Sequence, residues 1–85
     1  MKNYQVKKGL ISQKIGTKIK IFDGESSLLY SFNDSASLIF ENLKKGLAKE
    51  TSIEEIVKKY KIDKNQASAD YDELINELKK RKIIA

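Results

Sequence analysis

Ser27-Leu28-Leu29-Tyr30-Ser31-Phe32-Asn33-Asp34-Ser35-Ala36-Ser37-Leu38-Ile39-Phe40 changes its hydrophobic period halfway along, and that change decides the fold. The first six residues are rich in apolar and aromatic side chains, as a strand is. After Asn33 the apolar positions Ala36, Ile39, Phe40 and Leu43 fall three or four apart, the spacing of one helix face. Asn33 or Asp34 is placed to accept the first free N–H groups of that helix. Upstream, Thr17-Lys18-Ile19-Lys20-Ile21-Phe22 alternates polar residues with isoleucine, so an extended chain carries Ile19 and Ile21 on one face. Asp23-Gly24 favours a turn and makes the two runs a hairpin. An earlier strand is expected within Tyr4 to Ile15, with Gly9 and Gly16 marking bends.

Downstream, the first helix is expected near 34–45, ending at Gly46. Ser52-Ile53-Glu54-Glu55 has the form of a capping box, which opens a second helix near 53–60 with Ile53, Ile56, Val57 and Tyr60 as its buried stripe. Asp63-Lys64-Asn65-Gln66 repeats the pattern and opens a long helix near 64–82, whose apolar positions are Ala67, Tyr71, Leu74, Ile75 and Leu78. Lys79-Lys80-Arg81-Lys82 complements the negative end of its macrodipole, and Ile83-Ile84 follows as an apolar tail expected to pack back. The order implies an α+β fold: an N-terminal three-stranded antiparallel sheet followed by three helices, winged helix-turn-helix-like, with a short Lys61-Ile62-Asp63 turn between the last two helices.

Eighty-five residues support one compact domain, 1–85, since so short a chain cannot divide its apolar residues between two cores. With no Cys and no His, the chain lacks the usual thiolate nucleophile, imidazole base and transition-metal ligands, so neither catalysis nor a metal site is expected. No apolar run reaches the length of a membrane span or a secretory h-region, which points to the cytoplasm. The net charge of +5 is uneven: Lys2, Lys7, Lys8, Lys14, Lys18 and Lys20 fall in the first 22 residues with no acid among them. That half is expected to steer an anionic partner.

The stretch from Tyr30 to Phe40 resembles the PqqD family's apolar strand end, Asn, small polar pair, Ala, and Ile followed by an aromatic. Ser52-Ile53-Glu54-Glu55-Ile56-Val57 resembles the family's second helix start. Asp70-Tyr71, with Leu74, Leu78 and Ile83-Ile84 after it, resembles its last helix and apolar ending. Two departures stand out: Lys82 where the family usually has glycine, and a longer Gly46-Leu47-Ala48-Lys49-Glu50-Thr51 loop. The resemblance implies a three-stranded sheet on three helices that binds the leader of a ribosomal precursor peptide as an added strand, between the third strand and the third helix. It also implies no cofactor and a separate modifying enzyme as partner, most often a radical S-adenosylmethionine enzyme.

Strand addition needs an exposed sheet edge beside an apolar trough. Ser27, Leu28, Leu29, Tyr30, Ser31 and Phe32 are the expected edge, with Leu28, Tyr30 and Phe32 on one face and Leu29 and Ser31 on the other. On the third helix, Ser68, Asp72, Ile75 and Lys79 form a row at helical spacing, and an isoleucine in a polar row suggests a groove wall. An acidic leader and a monomeric protein are expected. The rival reading is a winged-helix DNA-binding regulator using Lys64, Asn65, Gln66 and Ser68; the carboxylates of Asp70, Asp72 and Glu73 beside them oppose phosphate contact.

Overall fold

The computed structural model describes residues 4–84, so Lys2, counted among the N-terminal cations, lies outside the described residues. The elements are β1 (Leu10–Ile15), β2 (Lys18–Asp23), β3 (Leu28–Ser31), α1 (Asp34–Lys44), α2 (Lys49–Tyr60) and α3 (Lys64–Lys80). The strands form an antiparallel sheet in the order β1-β2-β3. Ser27, expected in the strand, sits instead in the β2–β3 turn at φ 59°, the left-handed region.

Ile19 and Ile21 turn one face of β2 into the core, where α1 supplies Ile39, Phe40 and Leu43, α2 supplies Ile53 and Ile56, and α3 supplies Ala67, Tyr71, Ile75 and Leu78. Ile83 and Ile84 pack back into the same core, and Lys7 N–H donates to the Ile83 carbonyl at 2.7 Å. The β2–β3 pairing continues past the end of β3: Phe32 N–H donates to the Ile19 carbonyl at 2.9 Å. Beyond that point the chain leaves for α1, and the Ile19 N–H goes to the Ser37 hydroxyl at 2.8 Å. The buried Ser37 thus closes the ladder at the place where strand becomes helix.

Neither expected capping box forms its side-chain bonds. α2 begins at Lys49 with Ala48 as N-cap and no side-chain cap bond. Ser52 and Glu55 lie inside that helix, where both accept from the Asn42 side-chain amide of α1, at 3.0 and 3.1 Å. Asp63 is the N-cap of α3 but makes no side-chain cap bond, and Gln66 donates to Asp70 instead. Asn33 does cap α1, accepting from Ala36 N–H at 2.9 Å.

α3 ends in a Schellman pair: Ile83 N–H donates to the Leu78 carbonyl at 2.8 Å and Lys82 N–H to that of Lys79 at 3.0 Å. The motif places Lys82 at φ 60°, which explains why a glycine suits that position. Lys82→Gly is expected to raise stability by up to about 1 kcal/mol, the relief of left-handed strain less the added freedom of the unfolded chain. A urea titration checks it, and a lower midpoint in the variant contradicts it.

Asp23 is a buried carboxylate, 2 % exposed. It accepts from Lys7 Nζ at 3.0 Å and from Glu25 N–H at 3.1 Å, so it clamps the N-terminal segment to the β2–β3 turn. The Lys7 hydrogen bond holds its carboxyl below the usual carboxylate range. A carboxyl lowered in the folded state stabilises above its unfolded pKa of about 3.9, and loses that contribution as pH falls through the folded value. The melting temperature is therefore expected to fall on acidification below about pH 4, and less steeply in Asp23→Asn. Equal acid slopes in the two proteins contradict the clamp. Among the described residues no helix is long and apolar enough to cross a membrane.

Candidate functional site

β3 pairs with β2 along one side, and its other side has no strand partner among the described residues. The N-terminal segment does not fill it, because its β-bridge joins Val6 to Ile84. Backbone direction alternates along a strand. Since Phe32 directs its N–H to β2, so do Tyr30 and Leu28, paired with Ile21 and Asp23. Leu29 and Ser31 therefore direct their N–H and C=O groups outward. The open edge offers two donors and two acceptors at the spacing an added strand requires.

The side chains alternate with the backbone. Leu28, Tyr30 and Phe32 share the helix-side face with Ile19 and Ile21, and Tyr30 and Phe32 pack against the core. Phe32 is held by Phe40 of α1, ring centroids 5.4 Å apart. Leu29 pairs across from Phe22 on the outer face and is 62 % exposed. Between the helix-side face of β3 and α3 runs an open trough of about 440 Å³, whose α3 wall is Leu74, Glu77, Leu78 and Arg81. A second hollow of about 380 Å³ shares Asn33, Ala36, Leu74 and Glu77 with it, and extends the trough along α3 past Asp70 and Glu73.

The row expected on α3 is not the wall of this trough. Ile75 is 5 % exposed, in the core. Asp72 accepts from Lys49 of α2 at 2.8 Å, and Lys79 lies over the Tyr4 ring at 5.1 Å; Ser68 is half-buried and lines neither hollow. These four follow the flank of α3 turned towards α2 and the N-terminal segment, whereas Asp70, Leu74, Glu77 and Arg81 follow the flank turned towards β3. The missed signal is the second helical row, Asp70, Leu74, Glu77, Arg81, which holds the chain's one arginine.

Arg81 spans the trough at its Leu28 end, its guanidinium 5.2 Å from the Tyr30 ring centroid and its Nε 2.8 Å from Glu77 Oε1. The Glu77 carboxylate, and after it the Tyr30 hydroxyl, raise the already high pKa of Arg81. The N-terminal cations are partly spent elsewhere: Lys7 pairs with Asp23 and Glu25, and Lys14 with Glu41. Along α3 the two hollows present Asp70, Glu73 and Glu77 against Arg81, and none of the described N-terminal lysines lines either of them.

Two solved structures share this architecture. "Lasso peptide synthetase B1 complexed with the leader peptide" superposes with a TM-score of 0.88 at 19 % identity, covering 99 % of each chain. "TbiB1 in Complex with the TbiA(beta) Leader Peptide" gives 0.84 at 15 % identity, covering 94 % of this chain and 93 % of that one. No curated protein matches the sequence. The family model described as "Coenzyme PQQ synthesis protein D (PqqD)" matches residues 20–84, and the chain belongs to that family.

Proposed function

We propose that this protein binds the leader segment of a ribosomally made precursor peptide as a fourth strand on β3 and presents it to a separate modifying enzyme, carrying no chemistry of its own. The observation that carries this reading is the open edge at Leu29 and Ser31 beside an apolar-floored trough. Alternate side chains of an added strand drop towards Leu28, Tyr30, Phe32, Leu74 and Leu78, while its backbone bonds to the outward groups of Leu29 and Ser31. The two similar structures are complexes of those proteins with leader peptides, which supports the same use here.

The protein works as a monomer in the cytoplasm, without cofactor. The radical S-adenosylmethionine class of partner enzyme follows from family resemblance and from no residue of this chain. An NMR titration of labelled protein with candidate leader peptides and with duplex DNA tests the reading. Amide shifts gathered at residues 28–33 and 70–81 with a peptide are expected. Silence with every peptide, and shifts at residues 64–70 with DNA, overturn it in favour of a transcriptional regulator.

A further inference from the structure

The trough carries a charge order along its length. At its Asn33 end, Asp70, Glu73 and Glu77 bring three carboxylates and no cation to the wall. Asp70 takes the Gln66 amide and Glu77 takes Arg81, while Glu73 has no ion-pair partner among the described residues. At its Leu28 end the charged wall residue beyond Glu77 is Arg81. Lysine and arginine outnumber acids 17 to 12 in the chain, so the Asn33 end is opposite in sign to the molecule as a whole.

Backbone bonds along an edge do not specify register, because every residue of an incoming strand offers the same groups. The apolar floor repeats every second residue and accepts a slip of two. Fixed charges at known places along the trough do discriminate, since a mismatch puts like charges together in a partly desolvated strip. We propose that the peptide segment held here is itself ordered in charge: cationic where it passes Asn33, Asp70 and Glu73, and anionic where it passes Leu28 and Arg81. This rests on the strand-addition reading and adds the class of sequence selected. β3 runs from Leu28 towards Asn33, and antiparallel pairing is the rule in this sheet. An antiparallel guest therefore has its cations in its N-terminal half and its acids in its C-terminal half. The leader is bipolar, and the acidic leader suggested by the N-terminal lysines gives way to one whose first half is basic.

Two synthetic peptides of one composition and one alternating apolar pattern test this, one with lysines first and glutamates last, the other reversed, each titrated by fluorescence anisotropy. The lysine-first peptide is expected to bind about three- to tenfold more tightly at low salt, with the gap closing towards 0.5 M salt. Glu73→Lys, an exposed change, is expected to shrink that preference, and circular dichroism shows that the variant is folded. Equal binding of both peptides, a preference for the reversed order, or a preference untouched by Glu73→Lys overturns the charge order while strand addition stands. Binding of neither peptide overturns strand addition, and the charge order with it.

Discussion

Replacing Ser31 with proline is expected to remove most of the peptide affinity while the domain stays folded. The Ser31 N–H points away from β2, as follows from the bond between Phe32 N–H and the Ile19 carbonyl next to it. Proline deletes that donor and sets a methylene where the incoming backbone must approach. A peptide carbonyl left without its partner in the trough costs about 1–3 kcal/mol, so a loss of roughly thirtyfold in affinity is expected. Proline is tolerated on an outward-facing edge position, and it asks of Tyr30 the extended backbone that Tyr30 already has. Tyr30→Pro is the control. The Tyr30 N–H faces Ile21 within the sheet, so that variant is expected to melt far lower. Anisotropy titrations with a leader peptide, beside thermal melts, check both. A folded Ser31→Pro protein with unchanged affinity removes the β3 edge from the site.

Phe40→Ala is expected to give the largest loss of stability, about 3–5 kcal/mol, the usual cost of truncating a buried phenylalanine. Phe40 is 1 % exposed and among the largest fully buried side chains. A chain of this size has few kilocalories to lose, so the loss is a large fraction of its stability. Phe40 also holds Phe32 at 5.4 Å, and Phe32 anchors the end of β3 where the open edge meets the acidic hollow. Affinity for peptide is therefore expected to fall with stability, and a urea titration beside the binding curve shows whether the two move together. A loss below about 1 kcal/mol would mean that the cavity closes by collapse.

Features fixed by neighbours in sequence were legible. The Asn33 cap, the two periods that meet there and the alternation of Ile19 and Ile21 depend on residues a few positions apart, and each element they specify is present. The start of α2 was not legible in the same way. Ser52 and Glu55 satisfy a local pattern, but Asn42, ten residues away from Ser52, takes both oxygens and the helix begins a turn earlier.

The rotation of α3 is the same kind of case. Neighbouring residues on a helix stand about 100° apart, so whether Leu74 or Ile75 faces the core is a matter of one step. That step is set by contact with α1 and α2 rather than by spacing. Ile75 stands among polar residues and is core, while Leu74 stands in the apolar stripe and floors the trough. The β3 strand was readable in its apolar and aromatic composition, and its use as the binding edge was expected from the family resemblance alone. The α3 side of the site was not readable, because a helix with two mixed flanks reads alike from either.

Amide hydrogen exchange at β3, with and without a leader peptide, tests the central claim most directly. In the free protein Leu28, Tyr30 and Phe32 are expected to exchange slowly and Leu29 and Ser31 quickly, and with peptide bound Leu29 and Ser31 are expected to join the slow set. Fast exchange at Leu29 and Ser31 in a protein saturated with peptide would contradict strand addition.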